Sequence, residues 1–399
     1  MADSKITALA ANTTPASTDL TVIVDDPGGT PATQKMTIDT LDDYFSASSK
    51  TLTNKTLTSP TLGGTPVLDA ASAIPFYNDS MSRQAIINGN FDVWQRGTSI
   101  AMTTADAYAA DRWYCETATA ATDKTVSRQT ASNNGSYYSA RVAAVEDVDE
   151  LVTFSQALES QDSIKFRGQK LTLSFWAKAG AEFVTDNATL TCKIVTGKGT
   201  DEKVLAFTTS ADAISANKTL TDTFVKHTIT TTAAIASDIT QVGVSFAFTH
   251  AGAGVTTNYF ELSQVQLCAG SIALPFQPKS FAQELADCQR YYYRFGADSA
   301  IRCAILGNTW DSAGRFAVNV QTRVQMRATP TVAIYSGDGW RGISTHLTGV
   351  ANVGSIGSPN SVAISDNGIL LKWTGADATD FPTYSSVAVW GRFTADAEL

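Results

Sequence analysis

Histidine is scarce, at three residues in 399, and His227, His250 and His346 stand too far apart for an HExxH or mixed His/Cys ligand set. Metal-assisted hydrolysis and Ser/His catalysis therefore lack their usual residues, and each histidine is expected as an ordinary strand or loop residue. The five cysteines, Cys115, Cys192, Cys268, Cys288 and Cys303, are odd in number, singly placed and without CxxC spacing. That excludes a disulfide framework and predicts reduced, mostly buried thiols. Charge is low as well. Charged residues make up 17% of the chain, with 29 Lys and Arg against 38 Asp and Glu, and the net charge of -9 comes without any basic run to collect phosphates. Nucleic acid is not an expected partner. No eighteen apolar residues run together, and Met1 to Leu9 has neither a basic nor an apolar leader region, so neither membrane insertion nor export is expected.

What the chain does have is a strand former's composition: 43% hydrophobic residues, 27 Gly and abundant Thr, Ser and Ala. The fold class read from this is mainly β, with two or three domains in a chain of this length. Residues 1–45 hold a β-branched run, Leu20 to Val24, a Pro-Gly turn, a second run, Thr33 to Ile38, and a short helix through Leu41, Tyr44 and Phe45 capped by Asp39 or Thr40. So small a unit needs oligomerisation or a docking partner to complete a core.

Residues 46–87 lose both periodicities and read as a shaft or linker. Within them, Lys50-Thr-Leu-Thr-Asn54 is followed by Lys55-Thr-Leu-Thr-Ser59 and Pro60-Thr-Leu62, spacing Leu52, Leu57 and Leu62 evenly. Three chains side by side could bury these leucines along a common axis, which makes a homotrimer the expected assembly and a disordered tether its rival.

From 88 to 278 short β-rich runs recur at sandwich spacing: Ser136 to Val145, Thr153 to Leu158, Gln169 to Lys178, Thr189 to Val195, Thr223 to Thr231, Gln241 to Phe248 and Tyr259 to Leu267. Alternation in Leu171 to Ala177 and Gly243 to Phe248 predicts two stacked antiparallel sheets. A helix is expected from Ser280, with Gln283 at capping-box spacing and Phe281, Leu285, Cys288 and Tyr292 on one face. Strand patterns then resume (Ala300 to Leu306, Gly314 to Val320, Thr331 to Tyr335, Ser361 to Ser365, Gly368 to Trp373, Ser385 to Thr394), giving a C-terminal β domain over 279–399, a candidate receptor-binding domain.

Three stretches resemble tailed-bacteriophage virion fibre proteins. Ser4-Lys-Ile-Thr-Ala-Leu9, Thr14 to Leu20 and Gln34 to Leu41, followed by the Lys-Thr-Leu-Thr repeat, resemble a fibre's attachment segment. Asn88-Gly-Asn-Phe-Asp-Val-Trp-Gln-Arg-Gly-Thr98 with Ala110-Asp-Arg-Trp-Tyr114, and later Gly168 to Lys178 and Phe260 to Leu267, are similar to a jelly-roll module related to carbohydrate-binding modules. Leu274-Pro-Phe276, Glu284 to Tyr292 and Gln325 to Thr331 look like the C-terminal domain of such fibres. The resemblance implies a non-enzymatic, trimeric structural protein of the virion, assembled in the bacterial cytoplasm. It would bind other tail or capsid proteins through residues 1–45 and a host cell-surface glycan further on. A head fibre or capsid decoration protein is the alternative, and a surface polysaccharide depolymerase a third reading, disfavoured because no long β-helix repeat is evident.

Several other residues suggest chemistry that their spacing does not complete. Gly337-Asp-Gly-Trp-Arg-Gly342 has GxGxxG spacing without a following helix and reads as a turn. The acidic run Glu146 to Glu150 could offer calcium oxygens but lacks EF-hand spacing, so no cofactor is expected. Asp106 and Asp111 could serve glycoside hydrolysis only if they face each other. Trp94, Trp113 and Trp176 are expected in the core. Trp310 beside Asp311, and Trp340 between Asp338 and Arg341, sit in loop-like settings where an indole could stack on a sugar while Asp and Arg bind hydroxyls.

Overall fold

The computed structural model describes residues 14, 16–25, 29, 32–47, 84–117, 121–131, 135–144, 150–186, 189–250, 258–296, 303–309, 316–334, 341–346, 349–355, 361–364, 368–373 and 386–399. The chain divides into two units, residues 1–67 and 68–399. In the first, β1 (Leu20–Asp25) pairs antiparallel with β2 (Ala32–Thr37), and a helix, Ile38–Ala47, follows at once. The cap is Thr37 rather than Asp39 or Thr40: its Oγ1 accepts from Thr40 N at 3.1 Å. Asp39 and Thr40 already lie in the first turn, where the unsatisfied groups are their own N–H donors. Leu52, Leu57 and Leu62 fall outside the described residues.

The second unit begins with a sandwich. Its strands are β3 (Ser99–Met102), β4 (Asp106–Tyr108), β5 (Tyr114–Thr117), β6 (Ala121–Thr130), β7 (Tyr138–Ala143), β8 (Glu150–Ala157), β9 (Leu171–Ala179), β10 (Thr189–Gly197), β11 (Ala211–Thr219), β12 (Val225–Thr230), β13 (Gln241–His250) and β14 (Tyr259–Ala269). They form two six-stranded antiparallel sheets, one ordered β11-β10-β13-β8-β5-β4 and the other β12-β9-β14-β7-β6-β3. From β7 to β14 the chain passes repeatedly between sheets, a jelly-roll course in which β10 and β11 are the one pair of successive strands in the same layer. Alternation turns Leu171, Leu173 and Phe175 of β9 and Val242, Val244 and Phe246 of β13 into the shared core.

The stretch Asn88 to Thr98 closes one end of that core. Asn88 is fully buried, with φ 55°, and its amide ties two loop segments together, donating to Val93 O at 2.8 Å and Asp111 O at 3.1 Å. Asn tolerates the left-handed region because its short amide can bond locally. Phe91 sits there too, at φ 57°, held by ring packing 5.1 Å from Trp113, which stacks 5.0 Å from Phe154. Gly89 admits no side chain, since a Cβ would lie 2.2 Å from Val265 O. Trp94 and Trp113 are buried as expected. Trp176 is not: it shares the outer face of β9 with Ser174 and Lys178 and is half-buried, because strand parity gives the core to Phe175.

Ser280 caps the helix Phe281–Gln289, its Oγ accepting from Gln283 N at 3.3 Å. The buried face differs from the expected one: Glu284, Cys288 and Gln289 face inward while Phe281 is 61% exposed, and Tyr292 belongs to the next strand. That strand, β15 (Tyr292–Phe295), precedes β16 (Cys303–Thr309), β17 (Phe316–Gln321), β18 (Thr331–Ile334), β19 (Arg341–His346), β20 (Gly349–Ser355), β21 (Ser361–Ile364), β22 (Gly368–Trp373), β23 (Ser386–Gly391) and β24 (Phe393–Asp396). A three-stranded sheet, β15-β24-β18, faces a seven-stranded one, β20-β19-β23-β16-β17-β22-β21, across a core of Tyr293, Val318, Ile369, Leu371 and Phe393. The final predicted strand, Ser385 to Thr394, is two strands that break at Arg392 and enter different sheets.

The small sheet is fastened to the jelly roll by buried charge. Arg96 meets Asp111 at 3.4 Å, Asp396 at 3.0 Å and Glu398 at 3.3 Å, and lies 3.7 Å above the Tyr292 ring. Arg112 bonds Glu398 and covers Tyr291 at 3.5 Å. Arg327 joins Asp201 at 3.1 Å and Glu398 O at 3.0 Å.

Candidate functional site

The outer face of the sheet β11-β10-β13-β8-β5-β4 carries the most distinctive set of side chains. Strand register aligns two rows across it. One runs Tyr108, Tyr114, Ser155, Ser245, Lys193, Ser215, and the next Asp106, Glu116, Thr153, Ala247, Thr191, Asn217. These residues alternate with core residues such as Cys115, Phe154, Phe246 and Cys192, so all point away from the core. Yet the middle of each row is nearly inaccessible: Ser155 is 2% exposed, Ser245 3%, Thr153 3% and Ala247 8%. Their rims are not. Side-chain exposure is 48% at Asp106 and 36% at Lys203 on one side, 33% at Lys193 and 41% at Asp212 on the other. Small residues along the middle between long ones at both margins make a groove.

Its walls are fixed by local contacts. On one side the Tyr114 hydroxyl bonds Asp106, and Lys203 Nζ lies 2.8 Å from that hydroxyl and 3.3 Å from Asp106 Oδ2. The hydroxyl bond, before the Lys203 contacts, holds the Asp106 carboxyl below its ordinary range, while burial first, then Asp106, pushes the Tyr114 phenol up. Glu116 is raised, chiefly by desolvation and then by Asp106. On the other side Lys193 meets Asp212 at 2.8 Å, and Thr191 Oγ1 lies 3.0 Å from Asn217 Oδ1. One end is plugged by Val204 and Phe207, which pack with Ala157, Val195 and Leu399.

The chemistry this offers is hydrogen bonding rather than ring stacking. Lys203 Nζ sits 4.2 Å above the Tyr114 ring and the Arg96 guanidinium 5.2 Å from that of Tyr108, so both tyrosines already carry a cation on a face. Serine and threonine hydroxyls, two lysines and three carboxylates remain, the mix of donors and acceptors that a polyol matches. The opposite sheet is different: the chain after β14 folds back over its outer face, Gln266 Nε2 donating to Leu274 O at 3.0 Å and Gln277 N to Gln266 Oε1 at 2.9 Å.

Of the residues singled out in the sequence, Trp310, Asp311, Asp338 and Trp340 fall outside the described residues, as does the acidic run 146–149. Arg341 opens β19, its backbone paired with Ser355 and Trp390. Asp106 and Asp111 have separate surroundings. Asp111 is fully buried against Arg96, with Gln95 Nε2 2.9 Å from its Oδ2, and burial pushes its carboxyl up to about 6, while Asp106 stands on the groove rim. The four described cysteines are free and buried, and burial pushes the Cys115 and Cys192 thiols up to about 12. His227 stacks 5.6 Å from Phe175, as an ordinary strand residue does. The groove went unnoticed in the sequence because its residues are Ser, Thr, Ala and Lys, which carry no motif.

No protein-family model matches the chain, and no curated protein does. Among solved structures it is similar to the enzymatically active domain of tailspike protein 4 of bacteriophage CBA120, at 14% identity and TM-score 0.31 over 47% of this chain and 21% of that one. It is also similar to TmCBM61 in complex with β-1,4-galactotriose (10% identity, TM-score 0.29, 47% of this chain and 99% of that one). A third likeness is to the CBM22-1 xylan-binding domain of Xyn10C from Paenibacillus barcinonensis (13% identity, TM-score 0.26, 44% and 94%). The match spans about a fifth of the tailspike domain's length.

Proposed function

We propose that this chain is an adhesive subunit that binds a glycan of the host cell surface in the groove over β8 and β13, displayed on a trimeric fibre of a tailed-phage virion. The observation that carries the binding reading is the pair of aligned rows: outward hydroxyls at Thr153, Ser155 and Ser245, lowered between charged rims at Asp106, Lys203, Lys193 and Asp212. A saccharide chain laid across the strands would exchange hydrogen bonds with the rim carboxylates and lysines, the small residues forming the floor beneath it. With both tyrosine rings covered, each groove binds weakly, and three copies on one fibre raise the effective affinity.

Support for the virion setting is the sequence of residues 4–41, the evenly spaced Leu52, Leu57 and Leu62, and the length of chain that resembles fibre proteins. In this reading residues 1–45 hold the chain to the particle and the protein catalyses nothing. The test is host-cell binding by the whole chain, comparing wild type with Ser245→Trp, which fills the groove, and Tyr114→Ala, which removes one wall. Both variants are expected to lose binding while staying folded by circular dichroism. If Trp310→Ala and Trp340→Ala lose binding instead, recognition lies in the C-terminal domain. Sedimentation of the same proteins is expected to give three copies; a stable monomer at micromolar concentration contradicts the fibre.

A further inference from the structure

Within the groove the charges can be matched one against another. Lys203 meets Asp106 at 3.3 Å on one rim, and Lys193 meets Asp212 at 2.8 Å on the other. That leaves Glu116. It is half-buried on the outer face of β5, and among the described residues its carboxylate makes no hydrogen bond and no ion pair.

Strand register sets what surrounds it. Glu116 stands directly opposite Asp106 of β4 on one side and Thr153 of β8 on the other, between the rim and the floor, where Thr153 is 3% exposed. Like charges directly opposite on neighbouring strands destabilise a sheet. Asp106 is relieved by the Tyr114 hydroxyl and Lys203, whereas Lys203 acts on Glu116 only from beyond ion-pair range. Desolvation first, then Asp106, raises the Glu116 carboxyl, as befits a charge without a partner. No contact in the described fold uses this charge, and an uncharged strand former would suit the position better.

We propose, resting on the glycan-groove reading, that Glu116 is the specificity-determining residue of the groove: its oxygens accept from hydroxyls of an uncharged sugar unit, and its charge turns acidic glycans away. A carboxylate has acceptor sites for two hydroxyl donors at once. An acidic sugar laid over β5 would set a further negative charge beside Glu116 and Asp106, with Lys203 and Lys193 already matched by carboxylates. An ammonium would face the same Lys203 charge that acts on Glu116. A hydroxyl meets neither opposition, so neutral glycan is the class that fits.

The test is binding of the whole chain to a microarray of bacterial surface glycans grouped as neutral, acidic and amino-bearing, with the groove-filled Ser245→Trp as control. Wild type is expected to bind neutral glycans and Ser245→Trp none. Glu116→Gln and Glu116→Thr are expected to weaken that binding about tenfold or more, the size of one hydrogen bond to a charged group. Their melting temperatures are expected to equal or exceed that of wild type, since one of two opposed charges is gone. If Ser245→Trp abolishes neutral binding while both Glu116 variants bind as wild type does, this inference fails and the groove stands. Groove binding confined to acidic or amino-bearing glycans also overturns it, and so does a fall in melting temperature alongside the lost binding, which makes Glu116 a structural residue. If no glycan binds, or binding survives Ser245→Trp, the groove itself is wrong and the role of Glu116 falls with it.

Discussion

Arg112 and Glu398 form an ion pair in which the side chains are 2% and 3% exposed, joining the β4–β5 corner of the jelly roll to the residues after β24. The same carboxylate reaches Arg96, so removing it takes the carboxylate partner from the buried Arg112 and leaves Arg96 with Asp111 and Asp396. Taking one partner from a buried pair costs about 3–5 kcal/mol, because the remaining charge is left without compensation. Glu398→Ala is therefore expected to lower unfolding stability by that amount in chemical denaturation. A loss below about 1 kcal/mol, the range of exposed pairs, contradicts the joint as described.

Asp111 gives the joint a pH dependence. Its carboxyl is pushed up to about 6, by burial first and against the pull of Arg96, so the folded state holds a proton that the unfolded chain has released. Its contribution to stability is fully present below the ordinary aspartate value and is lost as pH rises through about 6. Wild type is expected to lose stability relative to Asp111→Asn between pH 4 and pH 7. A gain over that window would mean that the Arg96 pair outweighs desolvation.

Gly89 is fixed by proximity. Its carbonyl accepts from Val265 N at 2.8 Å, and a Cβ would meet Val265 O at 2.2 Å. Gly89→Ala must push β14 from the Asn88 turn, and a loss of about 1–3 kcal/mol is expected, the usual range for overpacking. Calorimetry of the two proteins checks it; equal melting temperatures contradict so close an approach.

Much of the fold is legible in the sequence. The strands β7 to β10, β12, β13 and β14 announce themselves through apolar alternation, and the helix after Ser280 through its cap. β11 (Ala211–Thr219) did not, because it is an edge strand, half-exposed along most of its length and built of Ala, Ser, Asn and Thr. β15 cannot be told from a continuation of the helix in sequence, because Tyr291 to Arg294 fits either period. The helix's buried face was misjudged because Glu284 points inward to accept from Asn88 N, a contact nearly two hundred residues away that no local pattern reports. The groove was invisible for a related reason: register brings Ser155, Ser245 and Lys193 side by side from three distant strands.

The central claim is most directly tested by mapping amide shifts on the whole protein as purified host-surface polysaccharide is added. Perturbations are expected to centre on Thr153, Ser155, Thr191, Lys193 and Ser245 and to disappear in Ser245→Trp. Saturable perturbations confined to the C-terminal domain, with these five residues unmoved, would contradict it.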